Sequence, residues 1–135
     1  MLRGNHESRN MTENFTFRDE VINTVSYDIE VYDLFMEVFD ALPVAAKVND
    51  EYFCMHGGIS PEISRIEDIN RYNRFAEIPL EGVMCDLSWA DPAPEKRKHK
   101  DWYDNKEREC SFYFGRDPTR KLLDDNNLRS ILRGH

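Results

Sequence analysis

Three of the four histidines, His6, His56 and His135, each lie within two residues of a glycine and just after an apolar run of strand character. Loops at strand ends are where α/β proteins place ligand-bearing side chains. The sheet holds the loop rigid, and glycine lets a ligand approach the backbone closely. Fifty positions part His6 from His56 and 79 part His56 from His135, so no local zinc-finger or helical two-histidine pattern applies. Any shared site must be assembled by the fold. Asn5 and three imidazoles, with acidic neighbours and few thiols, suit manganese, iron or zinc in a hydrolytic role better than a structural Cys-rich zinc. His99 stands apart in a lysine-rich stretch.

Periodicity supplies an α/β frame for these loops. Ile29, Tyr32, Phe35, Met36 and Phe39 recur three or four apart and predict a helix that Pro43 ends, with Glu30, Asp33, Glu37 and Asp40 opposite. Helical spacing also runs from about Asn10 to Val25. Val44–Val48 and Tyr52–Met55, joined by Asn49-Asp50, predict a hairpin, because Asn and Asp tolerate the left-handed backbone of a tight turn. Ser64-Arg65-Ile66-Glu67 has the form of a capping box opening a short helix to Tyr72. The Pro- and Lys-rich stretch from Ala93 to Lys106 predicts a loop. Phe112 to Phe114 predicts strand core, and Trp89 a packing residue. Asp117-Pro118 predicts the N-cap and first-turn proline of a helix that Asn126-Asn127 stops, followed by a strand over Leu128–Leu132. At the other end, Met1-Leu2 has the character of a strand's last residues.

Charge limits the partners. Twenty-six acidic against 18 basic side chains give a formal charge of −8, which opposes broad binding to a nucleic-acid backbone. The one local basic patch is Lys96, Arg97, Lys98 and Lys100. No run approaches the roughly 20 apolar residues of a spanning helix, and the N-terminus lacks the pattern of a secretory signal. Cys54, Cys85 and Cys110 are few, odd in number and far apart, which fits a reducing compartment better than a disulfide framework. The expected location is the cytoplasm or the nucleus.

Leu2-Arg3-Gly4-Asn5-His6-Glu7, His56-Gly57-Gly58-Ile59-Ser60 and Trp89-Ala90-Asp91-Pro92, in this order, resemble the phosphoprotein phosphatase family of serine/threonine phosphatases. Arg133-Gly134-His135 looks like that family's Arg-Ala-His motif. Met11 to Phe17 and Asn126 to Leu132 look most like calcineurin catalytic subunits. The likeness implies a partial metallo-dependent phosphatase fold of the α/β class, a central β-sandwich flanked by helices. It also implies that residues 1–135 are an internal part of a single catalytic domain, with a divergent loop at about 93–107.

Carried over by position, the resemblance implies that Asn5, His56 and His135 are ligands of one ion of a two-metal centre of Mn, Fe or Zn. His6 would be the general acid, and Arg108 would bind substrate phosphate. Arg3 and Asp91 would support the site. The implied reaction is hydrolysis of phosphoserine and phosphothreonine in proteins, with metals and a forked guanidinium neutralising the charge that spreads over the phosphoryl oxygens. A calcium-binding regulatory subunit and calmodulin are implied partners of the full-length protein.

The chain departs from the pattern at several places. Glu109 stands where calcineurin has glycine, Ala90 where it has serine, Gly134 where it has alanine, and Ser8 replaces a cysteine. The family's two earlier Gly-Asp motifs, which supply the other metal's ligands and the carboxylate that bridges both ions, are missing from this sequence. The expectation is therefore half a metal site and little activity from this chain alone. The alternative is a catalytically dead, phosphatase-like binding module.

Overall fold

The computed structural model describes residues 1–24, 27–97 and 101–135. Strands β1 (Ala45–Val48) and β2 (Tyr52–Met55) form the expected hairpin. Its turn holds Asn49 and Asp50 at φ 52° and 56°, the left-handed conformation for which these residues are suited. The first sheet has the order β1-β2-β6, and β6 (Ser130–Arg133) runs parallel to β2 with Met55 opposite Arg133. Two parallel strands ending together deliver the residues that follow them, His56 and Gly134-His135, to one edge. The amides of Gly134 and His135 both donate to the carbonyl of His56, at 3.1 and 2.9 Å.

The second sheet has the order β3-β5-β4, from Asp91–Pro92, Phe112–Phe114 and Trp102–Asp104 respectively. β4 lies inside the stretch expected to be loop. It forms because Trp102 packs edge-on against Phe112 and Tyr103 stacks on Tyr113 at 5.1 Å, cross-strand pairs that outweigh the local polarity. Of the basic patch, Lys96 is exposed in a 3-10 turn over Glu95–Arg97, while Lys98, His99 and Lys100 lie outside the described residues.

Among the described residues, four longer helices flank or join these sheets. The expected helix over 10–25 is broken. α1 (Arg9–Asn14) starts at Ser8, whose side chain accepts from the Met11 amide, and Thr16 at φ 66° separates it from α2 (Phe17–Asp19), which runs into a π-helical turn over Glu20–Thr24. Val25 lies outside the described residues. α3 (Ile29–Ala41) forms as expected and buries Tyr32 and Met36. No strand forms at residues 1–4, where the Arg3 amide donates to Pro43 O instead.

α4 (Val83–Trp89) has no amphipathic signal in the sequence because it is buried from Val83 through Ser88. It forms one apolar cluster with Phe53 and Met55 of β2, Phe114 of β5 and Leu122 of α5 (Arg116–Asp125). Leu128 ahead of β6 belongs to the same cluster. The capping box at Ser64 is not made. The 3-10 helix over Ile66–Arg71 is held from afar, with Asn126 Oδ1 accepting from the Ile66 amide at 3.0 Å and Asn126 Nδ2 donating to Ser64 O at 2.8 Å. α5 begins one residue before Asp117, with Gly115 as its cap, and Asp117 makes no capping bond.

Candidate metal centre

The parallel pairing of β2 and β6 sets His56 and His135 side by side, with ring centroids 5.1 Å apart. Asn5 joins them from a loop fastened by Arg3, which is fully buried. Arg3 donates to Glu7 O at 2.8 Å and Ala76 O at 2.6 Å, and pairs with Asp40 at 2.8 Å. Glu7 closes the turn by accepting from the Gly4 amide at 2.8 Å. Buried Asn5 then faces both rings: Oδ1 accepts from His56 Nε2 at 2.8 Å, and Nδ2 donates toward His135 Nε2 at 3.3 Å. Residues 5, 56 and 135 thus converge as expected.

Glycine shapes the loop after His56. A Cβ on Gly57 would sit 2.4 Å from the carbonyl carbon of Ser88, and one on Gly58 would sit 2.2 Å from Phe114 Cε1. Neither space admits a side chain. The approach lets the Gly57 and Gly58 amides donate to Leu87 O and Asp86 O, at 2.8 and 3.2 Å, which satisfies carbonyls at the end of α4.

Asp91 is the hub of the second layer. Its Oδ1 receives Arg133 Nη2 at 2.7 Å and lies 3.0 Å from His135 Nδ1. Its Oδ2 receives Arg108 Nε at 3.0 Å and Asn105 Nδ2 at 3.1 Å. Burial alone would raise this carboxyl's pKa; the donors from Arg108, Asn105 and Arg133, with His135, outweigh burial and hold it below the ordinary 3.8. Arg108 is exposed, and its two Nη groups have no partner among the described residues. His6 is exposed beside the Phe15 ring, 5.3 Å away, with no hydrogen-bond partner among the described residues.

Burial lowers the pKa of both His56 and His135 below the ordinary 6.5, so the pair is neutral at physiological pH and offers lone pairs. His135 Nδ1 is buried and, although 3.0 Å from Asp91, is out of line for a hydrogen bond. Such an orphaned atom is uncommon in a folded protein. Asn5 Oδ1, His56 Nε2 and His135 Nε2, the ring nitrogen that faces Asn5, make a nitrogen-and-oxygen donor set that fits a borderline or hard divalent ion. Three neutral donors without a carboxylate are half of a strong site. Among the described residues, no three His, Cys, Asp or Glu side chains converge as a metal-binding group.

Two participants escaped the sequence reading. Arg133 lies in the quoted Arg-Gly-His motif, and besides Asp91 it holds Gly57 O at 2.6 Å and Ala90 O at 3.3 Å, joining three motifs. Only the strand register gives it that role. Asn105, 2% exposed, comes from the divergent stretch, where no local signal marks it.

The fold is that of the metallophosphoesterase class. The chain belongs to the calcineurin-like phosphoesterase family, whose sequence profile matches residues 1–135. It is 46% identical over 145 residues to serine/threonine-protein phosphatase 2B catalytic subunit A1 of Saccharomyces cerevisiae, which covers all of this chain and 26% of that protein. It is 39% identical over 135 residues to the serine/threonine-protein phosphatase 4 catalytic subunit of Kluyveromyces lactis, all of this chain and 42% of the relative. A solved S. cerevisiae serine/threonine phosphatase with similarity to human phosphatase PP5 superposes with a TM-score of 0.84 at 34% identity, over 98% of this chain and 39% of that one. The chain therefore spans about a quarter to two fifths of these relatives.

Proposed function

We propose that this chain is part of the catalytic domain of a metal-dependent protein serine/threonine phosphatase, acting on phosphoproteins in a reducing compartment such as the cytoplasm. The observation that carries the reading is the convergence of Asn5, His56 and His135, two neutral imidazoles and an amide oxygen, at the edge where two parallel strands end. These three side chains would hold one ion of manganese, iron or zinc. When bound, such an ion supplies Lewis acidity toward a phosphoryl oxygen.

The remaining steps belong to this chain's own groups. Arg108, tethered to Asp91 by Nε, keeps its Nη face for the substrate phosphate. Exposed His6 gives a proton to the departing serine or threonine oxygen, a contribution typically worth about 10² to 10⁴ in rate. Asp91 and Arg3 hold the ligands and loops in place.

Manganese titration of the chain, followed calorimetrically, tests the donor set. The expected result is weak one-site binding that His56→Ala and Asn5→Ala each abolish. Binding indifferent to both substitutions would overturn the assignment. The chain alone is expected to show no manganese-stimulated hydrolysis of a phosphoserine peptide or p-nitrophenyl phosphate, and robust turnover would refute the half-site. In the full-length polypeptide, His6→Asn should keep metal content while cutting turnover. Loss of metal would make His6 a ligand instead.

A further inference from the structure

Between β4, the loop over residues 59–64 and one face of α5 lies a hollow of about 710 Å³, a size within the roughly 300–1,000 Å³ of small-ligand sites. Its floor is apolar and fixed. Ile63 and Leu122 belong to the core cluster, Trp102 packs against that cluster, and Pro118 is buried in the first turn of α5. Its rim is acidic, with Asp101, Asp117 and Asp125 against one cation, Lys121, which Asp125 takes at 2.5 Å. The Asp101 and Asp117 carboxylates have no ion-pair partner among the described residues. The Gly115 amide, donating to Asp101 O at 2.9 Å, brings their two positions to one end of the hollow. The positive end of α5 contributes about half a charge there, which two carboxylates exceed. These acids line a rim rather than surround a point, an arrangement that suits an extended organic cation better than a bare ion.

β4 is also an edge strand among the described residues, with β5 as its one neighbour. The Gly115 amide donates to Asp101 O and the Asn105 amide to Ser111 O, so residues 101, 103 and 105 turn their backbone groups toward β5. In an antiparallel ladder the residues between them face the other way, and the N–H and C=O of Trp102 therefore point away from β5. An extended peptide can pair with such an edge while one of its side chains enters a neighbouring pocket.

We propose that this hollow and the β4 edge dock an extended segment of a partner protein that carries an arginine flanked by apolar residues. The guanidinium bonds the Asp101 and Asp117 carboxylates and lies against the Trp102 ring. The apolar neighbours cover Pro118 and Leu122, and the segment's backbone pairs with Trp102. Arginine suits the place better than lysine, because a planar, weakly hydrated guanidinium can stack on a ring and fork to carboxylates at once. The chain's formal charge of −8 favours encounter with a basic segment. None of Asn5, His56 and His135 lines the hollow, so the inference stands or falls apart from the proposed function.

The test titrates the 135-residue protein with the pentapeptide acetyl-Ser-Val-Arg-Leu-Ser-amide, followed by calorimetry and by the indole N–H signals in NMR spectra. The expected result is saturable one-to-one binding that shifts the Trp102 signal and leaves in place that of Trp89, which sits beside His135. Asp101→Asn and Asp117→Asn, both at exposed positions, should each weaken binding about threefold and together about tenfold without unfolding the chain. Added salt should weaken it as well. No binding of the pentapeptide, equal binding of its glutamate counterpart, indifference to the double substitution, or a shift confined to Trp89 would overturn the site. N-acetyl-arginine amide binding as tightly as the pentapeptide would overturn the docking of an extended segment.

Discussion

Arg133 and Asp91 meet at 2.7 Å where β6 ends and β3 begins, and the same guanidinium holds the Gly57 carbonyl at 2.6 Å. Both side chains are largely buried, at 20% and 15% exposure. Removing one partner of such a pair strands the other's charge and its acceptors. Arg133→Leu is therefore expected to cost about 2–4 kcal/mol in urea unfolding. Arg108→Leu breaks an ion pair with the same carboxylate from an exposed position, so its cost should be below about 1 kcal/mol. Equal costs for the two would contradict this ranking.

The two glycines beside the histidines should respond oppositely to alanine. At Gly57 a methyl would meet Ser88 backbone at 2.4 Å, and backbone cannot swing aside. Gly57→Ala is expected to lose about 3 kcal/mol. At Gly134 the nearest atom is His56 Nδ1 at 3.5 Å, an ordinary contact. Gly134→Ala should gain about 0.5 kcal/mol by restricting the unfolded chain. Thermal melts of both variants check the pair of signs.

Glu109 sits at φ 59°, a left-handed conformation that crowds an L side chain. Such a residue costs roughly 1 kcal/mol, and calcineurin has glycine at the matching place. Glu109→Gly should accordingly raise stability by about 0.5–1 kcal/mol while removing an anion next to Arg108. An unchanged melting temperature would show the turn to be unstrained.

Asp86 is fully buried, and burial raises its pKa above the ordinary 3.8 despite hydrogen bonds from Ser111 and Ser60. A carboxyl raised in the folded state contributes stability that is full below the unfolded value and declines as pH rises through the folded one. Asp86→Asn removes the ionisation and leaves an acceptor for one serine. The difference between wild type and variant should therefore move in the variant's favour as pH climbs from about 3.8. Denaturant midpoints across that range measure it, and a pH-independent difference would rule out the buried ionisation.

Elements whose signal is local were legible in the sequence. The β1–β2 hairpin follows from Asn49-Asp50, and α3 follows from its apolar stripe. α4 was not, because a helix covered on all sides has no polar face to set a period. Nor was β4, which depends on rings supplied by β5. The Ser64 cap failed for a related reason: Asn126, sixty positions away from Ile66, takes the Ile66 amide and the Ser64 carbonyl and anchors the turn from outside the local sequence. In the site, the resemblance of short motifs to the phosphatase family singled out Asn5, His56 and His135. It was silent on Arg133 and Asn105, whose value lies in reaching Asp91 across the tertiary structure.

The parallel register of β2 and β6 also sets an order of events during synthesis. β2 leaves the ribosome as half of a local hairpin that can close at once, yet its other edge waits for a strand encoded more than seventy residues later. Pairing across so long an interval is slow and entropically costly. The donor cluster is consequently the last part of this chain to exist. Until β6 docks, nascent protein carries an open strand edge through Phe53 and Met55 that other chains can pair with, a hazard that falls on the segment leading into the loop that carries His56.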